Sequence, residues 1–219
     1  MTRELKAPIT CLITSGATGS ATTERDDAFQ DLLALVSLAV SARITLVQLR
    51  EKSLNARTLY SLASRASDIT RGSATHVIVN DRADIARAAL CDGVQLTTRS
   101  LDAPVVRRAF GTNFLIGVSA HNIAEARAAR DGGANFAVFG PVFDTPSKRA
   151  YGPPLGLEAL REAARTLAPF PLVAIGGIAE DNLGEVFGAG ASGVAAIRMF
   201  ANGQNLARTV HLIESLSAR

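Results

Sequence analysis

Hydrophobic positions along the chain follow two patterns that alternate from one end to the other. Short runs rich in β-branched residues, typical of buried strands, are followed by longer stretches with apolar residues at spacings of three and four, typical of amphipathic helices. Eight runs are predicted as strands: Ile9–Thr14, Ile44–Arg50, His76–Asp81, Gly93–Leu96, Leu115–Ala120, Phe136–Val142, Leu172–Ile175 and Val194–Ile197. Seven stretches are predicted as helices: Asp27–Ser41, Ala56–Arg71, Ala83–Leu90, Ile123–Arg130, Leu157–Thr166, Asp181–Gly188 and Asn205–Ser217. This alternation predicts an α/β fold of βαβ units, closed into a single (β/α)8 TIM barrel.

Composition narrows the class of protein. Hydrophobic residues make up 47% of the 219 residues and charged residues 20%, as in ordinary globular chains. The net charge of +3 comes without a basic run or a basic stripe interleaved with aromatic residues, so we expect no nucleic-acid partner. No window approaches the ~20 apolar residues that span a membrane. We therefore expect one cytoplasmic barrel domain over residues 1–219, with no membrane partner and with Cys11 and Cys91 as buried core thiols.

The last two predicted strands are followed by turns suited to an anion. Barrel active sites are built from the loops at the carboxyl ends of the strands, and loops seven and eight commonly hold phosphate. Gly176 and Gly177 follow the seventh strand, and Ile197 and Arg198 follow the eighth. Backbone N–H groups can converge on an anion in such turns. The alternative is that the two glycines only permit a tight turn.

Polar residues also end the second strand. Alternation along it puts Gln48, Arg50 and Lys52 on one face, which we expect to be the barrel interior. Two cations there are costly to bury without an anion, so they predict an anionic ligand. The alternative is pairing with acidic residues such as Glu51 or Asp81.

The ends of strands three and five offer further candidate groups. Asn80 and Asp81 place an amide and a carboxylate where a ligand or metal would lie, although Asp81 could instead cap the helix that begins at Ala83. Ser119 and His121 end strand five, and His121 is a candidate general acid or base because histidine titrates near neutral pH.

The loop after strand six contains Thr145 and Lys148. These two residues are predicted to clamp a phosphate from a closing lid.

Five ordered segments together resemble the thiamine phosphate synthase and thiazole tautomerase superfamily. They are Gln48–Lys52, Val79–Arg82, Ile116–His121, Phe139–Thr145 with Lys148, and Val173–Ile178. The match runs in order over about residues 8 to 200 and is more specific than any single motif. It implies a TIM barrel that binds phosphorylated thiazole and, in synthases, pyrimidine diphosphate. A homo-oligomer is compatible with the resemblance, and no motif decides it.

The resemblance also implies residue roles. In synthases the diphosphate is held by residues that match Gln48, Arg50, Lys52, Asn80 and Lys148, with the match of Ser119 beside it. Residues that match Gly177 and the Ile197–Arg198 backbone hold the thiazole phosphate, and Asp81 matches a carboxylate ligand of Mg²⁺. The main task of such a site is to stabilise the charge of the departing diphosphate.

The segment after strand four departs from the synthase pattern. Synthases read Gly-x-His-x-Gly-Gln-Glu-Asp there, whereas this chain has Gln95 for the histidine, Arg99 for the glutamate and Ser100 for the metal-binding aspartate. One carboxylate, Asp81, would remain for the metal. Tautomerases resemble this chain at these points, and their catalytic histidine matches His121.

These features favour one function over two others. The favoured activity is a thiazole tautomerase, which aromatises thiazole carboxylate phosphate by proton transfer at His121 without a cofactor. The first alternative is a thiamine phosphate synthase, a transferase that uses Mg²⁺ and would explain Arg50 and Lys52. The second alternative is a non-catalytic protein that binds a phosphorylated ligand.

Overall fold

Eight parallel strands close into a barrel in the computed structural model, which describes residues 5–145 and 153–218. The strands are β1 (Ile9–Ile13), β2 (Leu46–Leu49), β3 (His76–Asn80), β4 (Gly93–Leu96), β5 (Leu115–Ala120), β6 (Phe136–Phe139), β7 (Leu172–Ile175) and β8 (Gly193–Ala196). They pair in chain order, and β8 pairs with β1 to complete the circle. The predicted (β/α)8 TIM barrel is therefore confirmed.

A helix follows each strand along the described chain. The helices are α1 (Asp27–Ser41), α2 (Ala56–Thr70), α3 (Ala83–Ala88), α4 (Ala103–Phe110), α5 (Ile123–Asp131), α6 (Gly156–Leu167), α7 (Leu183–Gly188) and α8 (Leu206–Ser217). The hydrophobic pattern did not predict α4. This helix is short and buries only Ala103 and Val106, so its apolar stripe has too few members to stand out.

Five strands (β1, β2, β3, β6 and β8) end one to three residues earlier than the hydrophobic pattern predicted, and the hydrogen bonds at β2 and β6 give the reason there. The β1–β2 ladder stops at the Ile13–Gln48 pair, and the Arg50 N–H donates to the hydroxyl of Thr14 at 2.8 Å instead of to a backbone carbonyl, so β2 ends at Leu49. β6 stops at Phe139 because Gly140 and Pro141 follow, and proline has no N–H for the ladder. The ends of β2 and β6 are therefore set by which backbone N–H groups can join the ladder, which the hydrophobic pattern does not reveal.

Hydrophobic side chains form two separate cores. The larger lies between the strands and the surrounding helices. The smaller fills the barrel and contains Ile9, Cys11, Ile13, Leu46, Ile78, Leu115, Phe136, Val138, Val173 and Ala195. Gly117 makes room for the ring of Phe136, because an ideal Cβ at Gly117 would lie 2.4 Å from Phe136 Cζ.

Both cysteines are buried free thiols, as predicted. Loss of hydration on burial raises the pKa of each thiol to about 12, so neither forms a thiolate at neutral pH. They contribute packing rather than chemistry.

Over the described residues, every helix is too short or too polar to cross a lipid bilayer.

Candidate active site

The floor of the barrel mouth has a polar half and an apolar half. Inward-facing positions near the carboxyl ends of β2 to β5 carry amides and a hydroxyl: Gln48, Asn80, Gln95 and Ser119. The corresponding positions from β6 round to β1 are aliphatic: Val138, Ile175, Ile197 and Ile13. A flat ring with hydrogen-bonding atoms along one edge matches such a surface.

Two hydrogen bonds between adjacent strands fix the polar half. Gln48 Nε2 donates to Asn80 Oδ1 at 3.0 Å, and Gln95 Nε2 donates to Ser119 Oγ at 3.2 Å. Gln95 Oε1 is buried and accepts no hydrogen bond from the described residues, and it lies over Gly117, where an ideal Cβ would approach it to 2.3 Å. Gln95 was not among the predicted site residues. Its inward position two residues after Gly93 is the signal that could have identified it.

Arg50 lies half-buried beyond the end of β2. It forms no salt bridge within residues 5–145 and 153–218. The predicted alternative, pairing with Glu51 or Asp81, is therefore wrong for Arg50. Glu51 instead accepts hydrogen bonds from Gly16 and Thr18. The predicted alternation fails at Lys52, because β2 has already ended and Lys52 lies exposed in the following turn.

Asp81 adopts an unusual backbone conformation at the mouth. Its φ is +66°, a region that aspartate and asparagine tolerate better than most residues. The Asp81 N–H donates to Gln95 O at 2.9 Å, and the hydroxyl of Ser100 donates to Asp81 Oδ1. The helix cap that we considered for Asp81 is wrong, since the N-cap of α3 is Arg82 and makes no side-chain cap.

The fit to Mg²⁺ rests on one carboxylate and one hydroxyl. Ser100 Oγ also accepts from the Thr97 N–H at 2.7 Å, so this hydroxyl is engaged on two sides. The described residues contain no cluster of three or more His, Cys, Asp or Glu side chains that could hold a metal ion. Mg²⁺ sites with one or two carboxylates take their remaining ligands from water and substrate phosphates. Asp81 would therefore supply one ligand to a Mg²⁺ ion, and water and phosphate oxygens would have to supply the others.

His121 pairs with the first turn of α5. Its backbone N–H donates to Glu125 Oε2 at 2.7 Å, and its Nδ1 lies 3.2 Å from the same oxygen. Glu125 is held in turn by Asn122, whose Nδ2 donates to Oε1 at 2.8 Å. The His121 side chain is 41% exposed. A carboxylate that orients an accessible imidazole is an arrangement that acid–base catalysis uses.

The turn after β7 requires glycine at two positions. Gly176 and Gly177 have φ values of +97° and +66°. An ideal Cβ at Gly177 would lie 2.6 Å from Phe143 Cβ and 2.8 Å from Asp144 O, and the Phe143 N–H donates to Gly176 O at 3.0 Å. Loop seven is thus packed on loop six. That the glycines also hold phosphate stays a prediction.

The other predicted phosphate-binding residues lie on neighbouring loops. Ile197 and Arg198 follow β8, the neighbour of β7, so their backbone lies at the same side of the mouth. Thr145 is buried at the end of the first described segment. Lys148 lies outside the described residues.

Comparison with known proteins shows which family this sequence belongs to. A family model described as thiamine monophosphate synthase matches residues 20–200. The thiamine-phosphate synthase of Moorella thermoacetica is 40% identical over 187 residues, which are 85% of this chain and 89% of that protein. A Geobacter sulfurreducens relative, provisionally named for the same activity, is 46% identical over 168 residues, which are 77% of this chain and 78% of that protein.

A solved structure extends the agreement to the whole barrel. Thiamine phosphate pyrophosphorylase from Pyrococcus furiosus superposes with a TM-score of 0.77 at 28% identity, covering 96% of this chain and 95% of that one. The relatives carry the name of the synthase, which is the first alternative from the sequence, so the tautomerase preference is not confirmed. The chain is an enzyme of thiamine biosynthesis and belongs to the thiamine monophosphate synthase family.

Proposed function

We propose that this enzyme is a thiamine-phosphate synthase that joins hydroxymethylpyrimidine diphosphate to thiazole phosphate and releases diphosphate. The observation that carries the proposal is Arg50, a half-buried guanidinium at the mouth without an acidic partner in the described residues. The names of relatives at 40% identity and above support the same activity.

The site would bind two anions at two separate places on its rim. Arg50 and Lys52 follow β2 and would bind the diphosphate, because guanidinium and ammonium groups form strong charge-assisted hydrogen bonds with phosphate oxygens. On the far side of β1 from β2, the Ile197–Arg198 backbone after β8 and the glycine turn after β7 would bind the thiazole phosphate. A substrate with one phosphate needs only one of these places, whereas the synthase reaction needs both.

The floor between the anion sites suits a heteroaromatic ring. The amide half, with Gln48 and Asn80, would contact the ring's nitrogen-bearing edge, and the aliphatic half, with Ile175 and Ile197, would pack on its face. Ser119, which accepts a hydrogen bond from Gln95, would lie beside the reacting carbon in this arrangement.

The proposed reaction breaks one bond and forms another without a proton transfer. The C–O bond between the pyrimidine methylene and the diphosphate breaks, and the electron pair leaves with the diphosphate. The thiazole nitrogen then donates its lone pair to the methylene carbon and forms the new C–N bond. Arg50 and Lys52 would stabilise the departing charge, which is the largest demand of such a step. Mg²⁺, held with the diphosphate by Asp81, would neutralise part of that charge.

The direct test is formation of thiamine phosphate from the two substrates, followed by chromatography with and without Mg²⁺. We expect turnover that requires both substrates and rises with Mg²⁺. Arg50→Gln should lower kcat/KM by about 10²-fold or more, because it removes a charge-assisted contact to the leaving group. Arg43→Gln is the matched control, since Arg43 is an exposed arginine before β2 and should leave turnover unchanged. If no thiamine phosphate forms either with or without Mg²⁺, the proposal is refuted.

A tautomerase is the second candidate, and the His121–Glu125 pair favours it. His121→Asn separates the two activities. If the enzyme moves a proton on thiazole carboxylate phosphate, this variant should lose about 10²-fold or more of its exchange rate, followed by NMR in deuterated water. Thiamine phosphate formation should stay within a few-fold, because that reaction transfers no proton. Binding of thiazole phosphate without turnover of either substrate would support the non-catalytic alternative.

A further inference from the structure

Glu51 is a buried carboxylate at the end of β2. It is 3% exposed and pairs with no cationic side chain among the described residues. Three donors from the loop between β1 and α1, which we call the first loop (residues 14–26), compensate its charge. Gly16 N–H, Thr18 N–H and Thr18 Oγ1 donate to its two oxygens at 3.1, 3.2 and 2.5 Å. A buried carboxylate requires such donors, so the first loop must lie here for the charge to be tolerated.

The first loop also contacts the residue before Glu51. The Thr14 N–H donates to Gln48 O at 3.0 Å, and the Arg50 N–H donates to the Thr14 hydroxyl at 2.8 Å. Gly16 then packs on Arg50 itself, because an ideal Cβ at Gly16 would lie 3.3 Å from Arg50 O and 3.6 Å from Arg50 Nη1. The φ of Gly16 is +76°, which favours glycine at this contact. One short segment therefore contacts both the main chain and the guanidinium of Arg50.

Contact with the first loop would restrict the Arg50 side chain. Arginine has many rotamers in solution, and ordering one on ligand binding costs free energy. An ion pair could order the guanidinium, but the described chain supplies none for Arg50. A packed loop orders the side chain while leaving its N–H donors available to an anion.

We propose that Glu51 is a positioning residue. Its carboxylate holds the first loop against the end of β2, and the loop in turn holds the Arg50 guanidinium toward the anion at the mouth. The inference rests on the proposed function in one respect, since the anion is the diphosphate of that reaction. Glu51 itself touches no substrate. Hydrogen bonds from Gly16 and Thr18 compensate the negative charge of Glu51. This explains why a carboxylate can lie beside an anion site.

The coupling between Glu51 and Arg50 is tested by calorimetry, which measures the binding of inorganic pyrophosphate in the presence of Mg²⁺. Glu51→Gln places an amide N–H₂ against N–H donors, so the first loop should separate from β2. We expect this change to weaken pyrophosphate binding about tenfold in the parent enzyme. In an Arg50→Gln background, Glu51→Gln should weaken pyrophosphate binding by less than about twofold, because the guanidinium that Glu51 positions is gone.

Two further variants separate positioning from general loss of structure. Glu24→Gln is the control, since Glu24 is an exposed acid of the same loop and the substitution removes the same charge. It should leave binding unchanged. Thr18→Val keeps the side-chain shape, removes the Oγ1 donor and should weaken binding in the same direction by a smaller factor if Glu51→Gln does not fold. Hydrogen exchange of the amides of residues 14–18 should speed up in Glu51→Gln and in Thr18→Val and not in Glu24→Gln.

Three results would overturn the inference: no pyrophosphate binding by the parent, unchanged binding in Glu51→Gln, or an equal loss in the Arg50→Gln background. The last would mean that Glu51 acts on the whole mouth rather than through Arg50. If the coupling appears but no thiamine phosphate forms from the two substrates, the positioning role stands and the proposed function fails.

Discussion

Asp81→Asn is expected to lower kcat/KM for thiamine phosphate formation by about 10²–10³-fold, the loss of about 3–4 kcal/mol of transition-state stabilisation. In the proposed reaction Asp81 would supply a carboxylate to Mg²⁺, and Ser100 donates to Asp81 without adding charge. Asparagine tolerates the φ of +66° at this position, so the variant removes the charge and keeps the backbone. Steady-state kinetics at saturating Mg²⁺ measures the effect.

Manganese binding followed by electron paramagnetic resonance gives a second readout. The parent enzyme should bind Mn²⁺ more tightly with pyrophosphate than without it, and Asp81→Asn should lose this gain. Asp84→Asn is the control, because Asp84 is an exposed acid three residues away that pairs with Arg82. Equal activity of the Asp81 and Asp84 variants would contradict a metal role for Asp81.

Ser100→Asp tests the same site in the opposite direction. A second carboxylate beside Asp81 should raise the affinity for Mn²⁺ in the absence of pyrophosphate by about tenfold or more, since charge count tunes affinity at oxygen sites. Without metal, two adjacent carboxylates repel each other, so the variant's Tm should rise with added Mg²⁺ more than that of the parent. An affinity equal to that of the parent would place the metal elsewhere.

The second large effect concerns the stability of the barrel. Gly93→Ala is expected to lower the free energy of unfolding by about 3 kcal/mol or more, and the Tm by ~6–12 °C. Gly93 pairs with Leu115 on β5, and an ideal Cβ at Gly93 would lie 2.0 Å from Leu115 O. The contact is with backbone in a closed barrel, so relief would require two strands to separate.

Gly184→Ala provides the comparison for this measurement. Gly184 lies in α7, and an added Cβ would meet no atom within 4 Å. Alanine there should be neutral or stabilise by about 0.5–1 kcal/mol, because it reduces the entropy of the unfolded chain. Denaturant unfolding of both variants gives the two free energies. A Gly93→Ala protein as stable as the Gly184→Ala protein would show that the barrel can widen at β4.

Much of the site could be predicted because its residues directly follow or end successive strands in the sequence. Gln48, Asn80 and Ser119 were identified from their places at strand ends, and the structure brings them together on one floor. Lys52 shows the limit of this reasoning. Alternation predicts side-chain direction only while the strand continues. The hydroxyl of Thr14 accepts from the N–H of Arg50, 36 residues later in the chain, and β2 has ended before Lys52.

The contacts that sequence reasoning missed join distant residues. Glu51 was considered as an ion-pair partner of Arg50, yet it accepts from Thr18, 33 residues earlier. The Ser100–Asp81 hydrogen bond spans 19 residues. A carboxylate can accept from a cation, a hydroxyl or a backbone N–H with similar chemistry, so its residue type alone does not select the partner.

The sequence by itself determined the barrel, the family resemblance and the strand ends that face the mouth, because hydrophobic period and motif order are properties of the chain. Only the tertiary structure decided which donors compensate Glu51, that Arg50 has no acidic partner among the described residues, and that His121 pairs with Glu125. The physical reason is that hydrogen bonds and ion pairs depend on distances of a few ångströms between side chains. Strand closure and loop packing, rather than local pattern, set those distances.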